Sequence, residues 1–103
     1  MANSVSVRQP KPVLFPPHLQ GGVYCNLMLV THTEEEFIMD FIMISETVSA
    51  VTARVIMSPG HIKRTIQALQ NNLTKYEEKY KKTIKPAPEP AKPPLGYHTR
   101  EKE

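Results

Sequence analysis

The run Phe37-Ile38-Met39-Asp40-Phe41-Ile42-Met43-Ile44 decides the reading of this chain. Side chains alternate across a strand, so a strand with one wetted face reads apolar, polar, apolar. Here the odd positions place Phe37, Met39, Phe41 and Met43 on one side, and the even positions place Ile38, Asp40, Ile42 and Ile44 on the other. Apart from Asp40, both sides are apolar. The next run, Thr47 to Met57, is similar: strict alternation puts Val48, Ala50 and Ile56 on one side and Val51, Ala53, Val55 and Met57 on the other. A sheet that is apolar on both faces needs two covers.

Working outward, Tyr24 to Thr31 reads as a first strand, entered from the turn signal Gly21-Gly22. His32 to Glu36 then breaks the hydrophobicity for a hairpin loop, in which Thr33 and Glu36 have capping-box spacing. Phe37 to Ser45 is the second strand, Ser45-Glu46 a short link, and Thr47 to Met57 a third strand rich in β-branched residues. Links this short imply an antiparallel meander. Ser58 then caps a helix with Pro59 at its first position. Its apolar residues fall at Ile62, Ile66, Leu69, Leu73, Tyr76 and Tyr80, spaced alternately by four and three, which draws one stripe. Lysines 81, 82 and 85 suit the negative end of its dipole, and Pro86 stops it. About 25 residues would span roughly 38 Å, against some 30 Å for a nine-residue strand. The helix is therefore expected to overhang its sheet, leaving Tyr76 and Tyr80 free.

The fold class expected is α+β, a three-stranded antiparallel meander followed by one long C-terminal helix and completed by oligomerisation. Residues 1–22 hold four of the chain's 10 prolines and read as a flexible arm; residues 85–103 hold five more and read as a disordered tail. The domain between them, 23–84, is short for independent stability. The chain's single cysteine, Cys25, excludes an internal disulfide and reads as a small hydrophobe in a strand. One helix offers one cover, so a second copy is the expected other. Exposing half a dozen large apolar side chains would forgo on the order of 10 kcal/mol, comparable to a small domain's whole stability. The expected interface comprises Phe37, Met39, Phe41 and Met43 of the second strand with Leu73, Tyr76 and Tyr80 of the helix.

Asp40 is costly on an apolar face unless paired. Arg54 is its expected partner in a structural ion pair, provided the register shifts by one residue to bring both to one face. The alternative role is a proton acceptor or interface charge. His32 and His61 belong to no spacing that fixes a metal or a catalytic triad, and they read as polar surface. No glycine-rich phosphate loop or Ser/His/Asp pattern occurs. An enzyme is not expected, nor a cofactor or metal.

The net charge of +3 is uneven. Residues 23–74 are slightly acidic, with Glu34, Glu35, Glu36, Asp40 and Glu46 against Arg54, Lys63 and Arg64, and the surplus lies from Lys75 onward in Lys79, Lys81, Lys82, Lys85, Lys92, Arg100 and Lys102, diluted by acids. A small basic nucleic-acid-associated protein is the alternative function, but the strands lack interleaved basic and aromatic residues. No run approaches a membrane span and the N-terminus lacks a signal-peptide pattern, so a cytoplasmic location is expected.

The segments Tyr24-Cys25-Asn26, His32-Thr33-Glu34-Glu35-Glu36-Phe37, Asp40-Phe41 and Met57-Ser58-Pro59-Gly60-His61 are carried in an order that resembles a known family. It is the family of small bacterial and archaeal proteins designated domain of unknown function 3467, and the resemblance spans about residues 23–82. It implies a strand-strand-strand-helix unit and no particular activity. The function expected is a homo-oligomeric protein- or peptide-interaction module, of an adaptor or chaperone-like kind. Its expected partners are itself and other proteins or peptides. Methionines 28, 39, 43 and 57 would lend its surface adaptability.

Overall fold

Phe37–Met43 forms the middle strand of the sheet (β2), flanked by Leu27–His32 (β1) and Ala50–Met57 (β3), with the helix Pro59–Tyr80 (α1) following. The structure, a computed structural model, describes residues 11–89. Both strand pairs are antiparallel and the sheet order is β1-β2-β3, as the short links imply. Of the Pro-rich arm and tail, residues 11–22 and 85–89 are described. They hold one regular element, a single 3-10 turn at Pro17–Leu19. The remainder of both segments lies outside the described residues. Among the described residues no helix is long and apolar enough to cross a membrane.

Position in the ladder explains which residues are buried. β2 has a neighbour on each edge, and the buried residues Met39, Asp40 and Ile42 all belong to it. β1 begins at Leu27 instead of Tyr24 because a side chain takes over the pairing there. The Asn26 amide accepts from the Ile44 N–H at 2.8 Å and donates to the Ile44 carbonyl at 3.0 Å, standing in for a peptide group. The β1–β2 loop is closed by Thr33, whose hydroxyl accepts from the N–H groups of Glu35 and Glu36, each at 3.2 Å. This is a local hydroxyl turn, and the loop forms no helical turn.

The β2–β3 link is longer than the expected Ser45-Glu46 and runs over residues 44–49. Ser45 folds it, its hydroxyl accepting from the Val48 N–H at 3.0 Å and donating to the Val48 carbonyl. Strict alternation then fails at one residue of β3. Phe41 pairs with Ala53 and Ile42 with Val51, leaving Thr52 as an unpaired β-bulge. The Thr52 hydroxyl is satisfied by the carbonyls of Phe41 at 3.1 Å and Tyr24 at 3.3 Å. A bulge exchanges the faces on either side of it. Val51 therefore joins Ile56, opposite Ile42 and Ile38, and Ala50 joins Val55, opposite Met43 and Met39. The expected grouping of Ala50 with Ile56 is corrected accordingly. The bulge also supplies the one-residue shift that the ion pair requires, since Asp40 now stands directly opposite Arg54.

α1 starts as the sequence indicates. Ser58 is extended, its hydroxyl accepts from the His61 N–H at 3.4 Å, and Pro59 occupies the first turn. The helix stops at Tyr80, short of Pro86. Lys81 adopts a left-handed conformation, φ 55°, and its N–H and that of Lys82 both turn back to the Glu77 carbonyl. This is a C-terminal cap in which a lysine occupies the place that favours glycine. The 22 residues span roughly 33 Å, still longer than an eight-residue strand of about 26 Å.

The largest departure concerns cover. The helix is expected to hide one face of the sheet, yet no residue of α1 is buried. Contact with the sheet is confined to its start, where Ile62 and Thr65 are partly covered. A polar and apolar division drawn along the helix axis does not by itself bring the stripe down onto the strands.

Candidate functional site: an open apolar cleft

The two faces of the sheet have different chemistry once the register is known. One carries the ion pair. Arg54 Nε lies 2.6 Å from Asp40 Oδ1, and Nη2 lies 2.9 Å from Oδ2, a two-pronged arrangement that matches the planar guanidinium to the carboxylate. The Asp40 side chain is 5% exposed and that of Arg54 56%, so a buried carboxylate is neutralised by a cation reaching in from water. Ile38, Ile42, Val51 and Ile56 share this face. The expected pair is thus formed, between two residues that stand directly opposite each other in the β2–β3 register.

The other face is apolar apart from His32, which stands opposite Phe37 at its edge, and it opens into a cleft of about 460 Å3 beneath the first half of α1. β2 contributes Phe37, Met39 and Phe41; the flanking strands add Met28, Val30, Val55 and Met57; the helix adds Ile62, Ile66 and Leu69. Thr65 is the one polar residue of the lining, and its hydroxyl lies 3.2 Å from the Met57 sulfur. Beyond the cleft the helix stripe continues as Leu73, Tyr76 and Tyr80, which are 42%, 40% and 51% exposed. The two tyrosine rings lie 4.9 Å apart, and the Lys79 ammonium sits 5.2 Å from the Tyr80 ring centre. A monomer rarely leaves so continuous an apolar surface without a use for it.

The expected interface residues therefore fall on one sheet face and one helix stripe. Phe37, Met39 and Phe41 floor the cleft, Met43 extends its face opposite Ala50, and Leu73, Tyr76 and Tyr80 prolong its roof. Ile62, Ile66 and Leu69 were not among the expected interface residues, because the helix start was expected to be packed down. Ile66 and Leu69 are 61% and 67% exposed. The signal that reaches them is the same alternating spacing that picks out Leu73, Tyr76 and Tyr80.

The polar candidates do not converge. His32 lies at the end of β1 with its ring 5.4 Å from that of Phe37, whereas His61 sits in the first helical turn. Both are exposed. Among the described residues no three His, Cys, Asp or Glu side chains form a group that could hold a metal ion. Cys25 is a partly buried free thiol. The described lysines from Lys75 to Lys85 follow the far half of α1 and the chain beyond it.

The segments that carry the family resemblance have structural roles here: Asn26 clasps Ile44, Thr33 closes a hairpin, Asp40 pairs with Arg54 and Ser58 caps the helix. No curated protein matches the chain, and no solved structure matches it. A family model described as a protein of unknown function (DUF3467) matches residues 2–84, taking in the meander, the helix and most of the Pro-rich arm, and the chain belongs to that family.

Proposed function

We propose that this chain is a homo-oligomeric protein-interaction module, in which association covers the apolar cleft and the helix stripe that a single copy leaves in water. One observation carries the reading. The helix is the only long element available to cover the sheet among the described residues, and its stripe is exposed from Ile66 to Tyr80. Burying a large apolar side chain contributes about 1.5–3 kcal/mol, so the uncovered residues represent a driving force for association. The open outer edges of β1 and β3 add a second mode of contact, because an extended peptide can pair with an edge strand. Methionines 28, 39 and 57 around the cleft give that surface an adaptable character suited to adaptor or chaperone-like work.

The test is solution mass against dilution. Sedimentation or light scattering should return a multiple of the 11.7 kDa chain at micromolar concentration. Helical circular dichroism should fall as the oligomer dissociates. A well-folded single subunit that keeps its full helical signal on dilution would remove the basis of the proposal.

A further inference from the structure

The exposed stripe of α1 has a stricter pattern than amphipathicity requires. Ile62, Ile66, Leu69, Leu73, Tyr76 and Tyr80 occupy alternating a and d positions of a seven-residue repeat without a break, the spacing that seats one helix against another. We infer that α1 pairs antiparallel with α1 of a second copy, so that Tyr76 and Tyr80 of each chain close the apolar cleft of the other. This deepens the self-association proposed above and rests on it.

Three features of the chain select this arrangement. The stripe is matched end to end when the copies run in opposite directions. Ile62 then faces the second copy's Tyr80, Ile66 its Tyr76, and Leu69 its Leu73, each layer joining an a position to a d position. The flanking positions agree in charge. Lys63 of each copy meets Glu77 of the other, twice by symmetry, while Gln70 and Asn72 meet their own counterparts near the axis. One Glu77 oxygen accepts from the Ile84 N–H at 3.2 Å, which leaves the second oxygen for the lysine. Running the helices parallel would instead set Asn72 against Glu77 and Thr65 against Gln70, leaving both lysines without an acid.

The third feature is the cleft. Its roof is the first half of α1, and the half beyond Leu69 overhangs. Opposite polarity brings the overhanging, ring-bearing half of one helix to the partly roofed half of the other. The space of about 460 Å3 there is of the size that accepts large apolar groups. Parallel pairing would place tyrosines beside tyrosines and leave both clefts open.

The experiment uses the full chain with Cys25→Ser as background, and two variants, Ile66→Cys and Tyr76→Cys, at positions exposed enough to tolerate change. Under mild oxidation a disulfide between 66 and 76 should form only when the two variants are mixed, because each cysteine lies opposite the other's position and some 15 Å along the axis from its own counterpart. In addition, Lys63→Glu should weaken self-association roughly tenfold, and Lys63→Glu with Glu77→Lys in one chain should restore it, the scale expected of two exposed charge pairs. Each variant linking to itself, or an oligomer whose mixed sample gives no 66–76 disulfide, overturns the antiparallel arrangement while leaving self-association standing. A folded monomer at all concentrations overturns both.

Discussion

β2 and α1 are built from similar apolar material and meet opposite fates. Ile42 is 3% exposed and Met39 6%, whereas Leu69 and Ile66 are more than half exposed. The strand is covered because hydrogen-bonded neighbours stand on both of its edges, so its burial is imposed by backbone pairing. The helix satisfies its own backbone and is held to the sheet through its first turns alone. Lateral pairing completes a strand within one chain, and a self-sufficient helix can be left waiting for a second one.

Four substitutions test that contrast. Ile42→Ala should have the largest effect, about 2–5 kcal/mol of unfolding free energy in urea titration, since it empties a closed site. Its cost should not depend on protein concentration, and a loss below about 1 kcal/mol would show that β2 is not the centre of the fold. Arg54→Met should cost about 2–3 kcal/mol, at the low end for breaking a buried pair because the guanidinium is itself half wetted. A neutral result would mean the bulge alone sets the register.

Leu69→Ala should cost about 1–2 kcal/mol, an interface value, and should lower the midpoint most at low protein concentration. The same loss at every concentration would place Leu69 in the monomer's own packing and erase the contrast between strand and helix. Ser58→Ala removes the cap and should cost about 1 kcal/mol, read as lost helicity. No change would mean that Pro59 alone defines the helix start.

Local chemistry was the legible part of the sequence. Ser58 and Pro59 marked the helix start, the short links marked a meander, and Asp40 on an apolar face announced its need for Arg54. What alternation could not show was Thr52, because a bulge is a property of pairing between two strands and leaves no mark in the periodicity of one. The early end of α1 was hidden for a related reason: Lys81 in a left-handed conformation contradicts residue preference, and only the turn-back of two N–H groups onto Glu77 reveals it. The candidate site was half legible. The stripe named the helix residues, but the gap between Ile66 and Phe41 is a tertiary fact that neither run contains.

Thr52 also determines which changes of chain length relatives could survive. Residues gained or lost in the 44–49 turn leave the upper sheet undisturbed, because pairing is reset at the irregularity. Losing Thr52 itself would rotate everything from there to the turn by half a revolution, or else push Arg54 to the wrong side and strand a carboxylate in oil. Evolution can lengthen this hairpin freely at its tip and hardly at all about two residues, or roughly 7 Å, below it.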